Sequence, residues 1–161
     1  DMGAHVAQDG NHVRVWSGPV QTLTGTSIVA SPHPGFPTDL QQPFTSLLTL
    51  VHGTNTIHDS VYEGRFGHIP YLTKMGANIK VEGSVTIVSG VSTLSGADVK
   101  ATDLRAGAAL VVAGLAANGQ TRIFDVHHIE RGYQELCQRL RQLGARCWHV
   151  NVSDTDMLVM E

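Results

Sequence analysis

Met75-Gly76-Ala77-Asn78-Ile79 decides the fold, because the phrase occurs three times in a chain of 161 residues. It returns as Met2-Gly3-Ala4-His5-Val6 and as Leu143-Gly144-Ala145-Arg146-Cys147. A glycine directly after a large apolar residue is a common helix stop, and the residues that follow suit a strand. Other phrases recur at a similar step. Thr38-Asp39-Leu40 recurs as Thr102-Asp103-Leu104, Gly53 as Gly119, and Arg65 as Arg131. Self-similarity with a period of about 70 residues means one supersecondary unit used repeatedly.

Around these phrases the unit can be read from its periodicities. Leu40, Phe44, Leu47, Leu48 and Val51 recur at helical spacing, and Gly53 is a natural stop, so a helix is expected over 40–52. Its counterpart is expected over 103–118. Short strands follow at 54–60 and 120–126. A second helix carries Phe66, Ile69 and Leu72, shortened by Pro70, in the middle unit. In the last unit it carries Tyr133, Leu136, Cys137, Leu140 and Leu143. Hairpins close the units, 78–81 with 85–88 and 146–152 with 156–160. The order helix, strand, helix, strand, strand gives an α/β (α+β) fold with sheet on one side and helices on the other. Residues 1–26 read as the tail of one unit, 32–99 as a complete unit and 100–161 as a nearly complete one. A chain that opens inside a unit is expected to be the carboxy-terminal part of a longer polypeptide.

Composition narrows the partners. Charged residues make up 16% and the net charge is −3, which leaves no basic surface for nucleic acid. The apolar run 110–113 stops at Gly114, far short of the roughly 20 residues that span a bilayer. Cys137 and Cys147 match no metal or redox spacing and read as reduced, unbridged core thiols. The nine histidines show no ligand spacing, so no metal site is expected. No glycine loop matches a nucleotide fingerprint, and no cofactor is implied.

The chemistry concentrates in a few residues. Pro32-His33-Pro34-Gly35-Phe36-Pro37-Thr38-Asp39-Leu40 is a stiff turn that delivers an acid to a helix start. Asp39 reads there either as a helix cap or as a positioned acid. Arg65, Arg105 and Arg131 are each expected in or beside the first turn of a helix, the end where a cation is disfavoured by roughly 0.3–1 kcal/mol. Beside them stand the acids Asp39, Asp103 and Glu130. Three such arginines point to a shared anion-binding cleft, with pairing to neighbouring surface acids as the rival reading. Spacing alone leaves both open.

The phrases Pro34-Gly35-Phe36-Pro37-Thr38-Asp39-Leu40-Gln41, Glu63-Gly64-Arg65-Phe66-Gly67-His68-Ile69, Ala101-Thr102-Asp103-Leu104-Arg105-Ala106 and His128-Ile129-Glu130-Arg131-Gly132-Tyr133 closely resemble the UDP-N-acetylglucosamine enolpyruvyl transferase family. The resemblance runs from Asp1 to about Val150. It implies domains of three repeated α/β units with pseudo-threefold symmetry. It also implies a cytoplasmic bacterial enzyme that transfers the enolpyruvyl group of phosphoenolpyruvate to the 3'-hydroxyl of UDP-N-acetylglucosamine, the first committed step of peptidoglycan synthesis. By the same resemblance Asp39 contacts the sugar hydroxyl and is the general base, and the Val61 backbone touches the UDP-sugar. Arg65, Arg105 and Arg131 become active-site arginines, with Arg131 on phosphoenolpyruvate and Asp103 an acid beside it. The family's amino-terminal lysine-asparagine pair and mobile loop have no counterpart here, so this chain alone is expected to be inactive and to need the amino-terminal part of the same enzyme. The shikimate 3-phosphate transferase fits the motifs less well, and a non-catalytic module of the same repeat is the rival from another class.

Overall fold

The computed structural model of the chain describes residues 2–62, 64–152 and 155–161. Twelve strands and five helices are found among them. A lone hairpin opens the chain, β1 (His5–Asp9) with β2 (His12–Trp16). The first full unit then runs β3 (Ser27–Ala30), α1 (Gln41–Leu48), β4 (Thr54–Asp59), α2 (Ile69–Lys74), β5 (Asn78–Glu82) and β6 (Val85–Ser89). Two minor strands, β7 (Leu94–Ser95) and β9 (Ala117–Asn118), pair in parallel beside the second unit. That unit comprises β8 (Asp98–Lys100), α3 (Leu104–Ala116), β10 (Thr121–Phe124), α4 (His127–Glu130), α5 (Leu136–Gln142), β11 (Cys147–Val152) and β12 (Thr155–Met160).

The two sheets have one topology. In the first, β3 runs parallel to β4, β4 is antiparallel to β6, and β6 to β5. In the second, β8 runs parallel to β10, β10 is antiparallel to β12, and β12 to β11. Each unit therefore opens with a strand that the periodicity reading lacks. Both are short, four and three residues, too brief to show alternation. The punctuation repeats as well. Gly3, Gly76 and Gly144 hold φ of 91°, 95° and 96°, and Gly53 and Gly119 hold 91° and 84°. Gly76 and Gly144 close the ends of α2 and α5, and all five hold a left-handed turn that a Cβ would strain.

Helices α1 and α3 pack side by side, tied by a hydrogen bond from Ser46 Oγ to the Ala109 carbonyl at 2.7 Å. Helix α3 is buried over 106–111 and 113–114 while Val112 and Leu115 stay exposed, and its sequence LRAGAALVVAGLA permits this by offering small residues at the contacts. Gly107 has no room for a side chain, since a Cβ there would strike Ile129. One core joins Leu110, Val111 and Ala113 of α3 to Val99, Ile123, Leu158 and Met160 of the second sheet. A second gathers Leu48, Val51, Ile57 and Val88. Asn55 stitches the latter together: its amide donates to the carbonyls of Val51 and Val88 at 3.2 and 3.3 Å, and its carbonyl accepts from the Thr26 amide. Among the described residues no helix is long and apolar enough to cross a membrane.

Candidate active site

The proline-rich turn folds back on the end of β3. Gly35 donates to the Pro32 carbonyl at 2.8 Å and Ser31 to that of Phe36 at 3.0 Å, while the Phe36 ring meets Phe44 of α1 edge-on. Thr38–Leu40 form one tight turn that runs into α1, and no side chain caps it. Asp39 is thus not a cap. Its carboxylate lies in a guanidinium fork: Oδ2 accepts from Arg105 Nη2 at 2.7 Å, and Oδ1 accepts from Arg105 Nε and from Arg65 Nη1, the latter at 3.3 Å. The hydrogen bonds from Arg105, together with the charges of both arginines, hold the Asp39 carboxyl below its ordinary value against an opposing desolvation. Arg105 is raised in turn, first by its hydrogen bond to Asp39. Geometry of this bidentate kind is what a planar guanidinium offers a carboxylate or a phosphate.

Each arginine is held by its own supports. Arg105 is the second residue of α3, where Asp103 caps the helix by accepting from the amides of Arg105 and Ala106 at 2.8 and 3.0 Å. Arg65 sits in the loop between β4 and α2. Its guanidinium stacks on the Tyr62 ring at 3.9 Å, and its carbonyl accepts from Gln42 Nε2 at 2.9 Å. Asp39 itself is 57% exposed at its side chain, against 19% for Arg65 and 32% for Arg105, so the fork lies on an open face.

Asp59 supports this arrangement. It ends β4, is 3% exposed, and accepts from the Thr38 hydroxyl at 2.5 Å and from the amides of Val61 and Tyr62 at 3.0 and 2.9 Å. One buried carboxylate therefore fixes both the residue before Asp39 and the loop that leads to Arg65. The sequence reading missed it, yet a signal existed. Alternation along Thr54–Asp59 buries Asn55, Ile57 and Asp59, and an acid on the core face of a strand needs a reason.

The expected residues are partly brought together. Asp39, Arg65 and Arg105 meet, and Asp103 lies two residues from Arg105 in the cap. Val61 is exposed with its amide already engaged by Asp59. Two expectations about the arginines are corrected. Arg65 precedes α2 by four residues and lies in a loop. Arg131 terminates α4, the end that favours a cation. The single helix expected there is split because Glu135 takes a φ of 51°. Arg131 is exposed and makes no ion pair among the described residues. Its neighbour Gly132 abuts Leu104, so the Arg131 backbone passes beside the first turn of α3. Glu130 approaches His149 at 3.5 Å instead of an arginine. Glu63, quoted with Arg65 above, lies outside the described residues. Among the described residues no three His, Cys, Asp or Glu side chains gather to hold a metal.

Comparison with known proteins gives this arrangement its context. Residues 1–140 match the family model described as EPSP synthase (3-phosphoshikimate 1-carboxyvinyltransferase). The chain is 51% identical over 145 residues to the UDP-N-acetylglucosamine 1-carboxyvinyltransferase of Clostridium botulinum, covering 90% of this chain and 34% of that protein. It is 46% identical over 157 residues to UDP-N-acetylglucosamine 1-carboxyvinyltransferase 2 of Bacillus subtilis, covering 98% and 36%. The chain thus spans about a third of the length of these relatives. Among solved structures, the enolpyruvyl transferase NikO from Streptomyces tendae superposes with a TM-score of 0.81 at 30% identity, over 99% of this chain and 34% of that one. An EPSP synthase from Acinetobacter baumannii superposes with a TM-score of 0.68 at 17% identity over 99% and 36%, a likeness of fold alone.

Proposed function

This chain belongs to the EPSP synthase (3-phosphoshikimate 1-carboxyvinyltransferase) family, and from that premise we propose that it supplies the carboxy-terminal third of a UDP-N-acetylglucosamine enolpyruvyl transferase. The whole enzyme would move the enolpyruvyl group of phosphoenolpyruvate onto the 3'-hydroxyl of the sugar and release phosphate, in the cytoplasm, as the first committed step of peptidoglycan synthesis. The choice of acceptor rests on the relatives of that name, which share about half of their aligned residues with this chain.

The observation that carries the reading is the fork at Asp39. Arg65 and Arg105 both direct their guanidinium donors to the one carboxylate between them. Phosphoenolpyruvate brings a carboxylate and a phosphate that suit the same planar donors. Arginines drawn to the donor substrate leave Asp39 with fewer cations, so its affinity for a proton rises when a base is needed. Asp39 then takes the proton of the sugar hydroxyl as the new C–O bond forms. Arg131, exposed and without an ion pair among the described residues, is the cation free to meet phosphoenolpyruvate directly. Val61, fixed by Asp59, offers its backbone to the UDP-sugar. Asp103 acts through Arg105, whose helix start it caps. The amino-terminal part of the enzyme would close the open face and exclude water.

Phosphate release by a complete enzyme carrying this chain as its carboxy-terminal third tests the assignment. Release that requires both phosphoenolpyruvate and UDP-N-acetylglucosamine is expected. Release with shikimate 3-phosphate in place of the nucleotide sugar, or with neither, would overturn it.

A further inference from the structure

Cys137 and Cys147 share no recognised spacing, yet the fold brings them together. The left-handed turn at Gly144 returns the chain from α5 to β11, and the two sulfurs end 3.6 Å apart. Both are free thiols. A disulfide needs its sulfurs at about 2.05 Å, so side-chain rotation and a small approach of helix to strand would close the gap. The two thiols differ in access. Cys147 is 3% exposed, whereas Cys137 is half-buried and lines a cleft with Gln138, Arg141, Trp148 and His149. Burial, followed by the hydrogen bond with Cys137, pushes the Cys147 thiol up to about 11. It is a poor nucleophile for an outside reagent but already faces one particular sulfur.

We propose that Cys137 and Cys147 are a reversible dithiol site that exchanges with small-molecule disulfides and ties α5 to the edge strand β11. The Cys137 thiolate attacks one sulfur of the disulfide RSSR, forming a mixed disulfide and expelling one thiolate, which takes up a proton. Cys147 then loses its proton as its sulfur attacks the Cys137 sulfur, and the second RS group leaves as a thiol. Two protein thiols are oxidised to one disulfide, and RSSR is reduced to two RSH. The order of the steps follows from access. Holding the second thiol against the first makes the closing step intramolecular, which favours the cyclic product over a lasting adduct.

The test is incubation of the native chain with mixtures of oxidised and reduced glutathione, read by intact mass and peptide mapping. The expected product has lost two hydrogens and contains a peptide joined through Cys137 and Cys147, and dithiothreitol restores it. Cys147→Ala should stop at one glutathione on Cys137. Cys137→Ser, a change at a half-buried position, should leave Cys147 unmodified. The equilibrium constant for closure should be at least about tenfold greater in the native chain than in urea, because the fold has already oriented the pair. An equal or smaller native constant, a glutathione adduct that persists on the wild-type chain, or no reaction would each overturn the proposal.

Discussion

Asp39 carries one negative charge between two guanidinium groups, and its titration reports on them. Its folded pKa lies below the ordinary carboxylate value, with the hydrogen bonds from Arg105 as the first cause. The sign follows from linkage: the stabilisation is fully present above the ordinary carboxylate range and is lost as pH falls through the lowered folded pKa. Arg105→Gln should therefore raise the Asp39 midpoint, followed by carboxyl carbon NMR, with part of the depression persisting through Arg65. An unmoved midpoint would show that the fork does not exist in solution. His68 is the opposite kind of group. It is fully buried, neither ring nitrogen has a partner among the described residues, and burial pushes its pKa down to about 4 from 6.5, against a weaker pull from Asp103. The ring is neutral in the native chain at neutral pH. As pH falls below 6.5 the unfolded chain takes up its proton first, so stability declines until about pH 4 and then stops declining from this cause. The full effect is about 3 kcal/mol. Urea unfolding at pH 7 and pH 4.5 should show a steeper loss for wild type than for His68→Gln. Parallel losses would mean that the ring is not buried in its neutral form.

At the scale of elements, Asp59 links strand to site. Asp59→Ala removes the acceptor for three donors and leaves the Val61 and Tyr62 amides to find others, at a cost of about 1–3 kcal/mol. Asp59→Asn keeps an acceptor for those amides and should recover much of the loss in thermal unfolding. In the complete enzyme Asp59→Ala should also raise KM for the nucleotide sugar, since the Val61 loop is then loose. A variant as stable as wild type would show that the loop holds itself. How much of this was legible differs by element. Helix α3 was readable from its start, because Asp103 caps it and its residues apart from Arg105 are apolar or small, but the reading ran on to 118, where the last two residues form β9 instead. The hairpin over Gly83 was readable from alternation on both sides. The opening strands β3 and β8 were not, since so few residues carry no period. The break between α4 and α5 was hidden too: it falls at Glu135, a residue that gives no warning of a positive φ. That one break moved Arg131 from a helix start to a helix end. The contact of Cys137 with Cys147 was invisible for a related reason, because it depends on how sharply the chain turns at Gly144.

At the scale of the molecule, repetition did most of the organising. Two units of the same topology place α1 and α3 side by side, so the equivalent phrases Thr38-Asp39-Leu40 and Thr102-Asp103-Leu104 come to neighbouring helix starts. The repeat thereby brings Asp39 of one unit to Arg105 of the next, a juxtaposition of residues 66 apart that no local motif encodes. The two units have diverged in use: the aspartate of the second caps a helix, while that of the first is left without a capping duty. Because Asp39 caps nothing and its ion pairs are largely exposed, replacing it should cost roughly 0–1 kcal/mol of stability. Its loss should fall on chemistry alone. The most direct measurement is the rate of phosphate release by Asp39→Asn in a complete enzyme that carries this chain as its carboxy-terminal third, native or grafted onto the Clostridium botulinum relative. The expected result is a folded protein that still binds UDP-N-acetylglucosamine and turns over roughly 10²–10⁴-fold more slowly, the usual contribution of a positioned general base. Turnover within a few-fold of wild type would contradict the account, and the base would have to be another group.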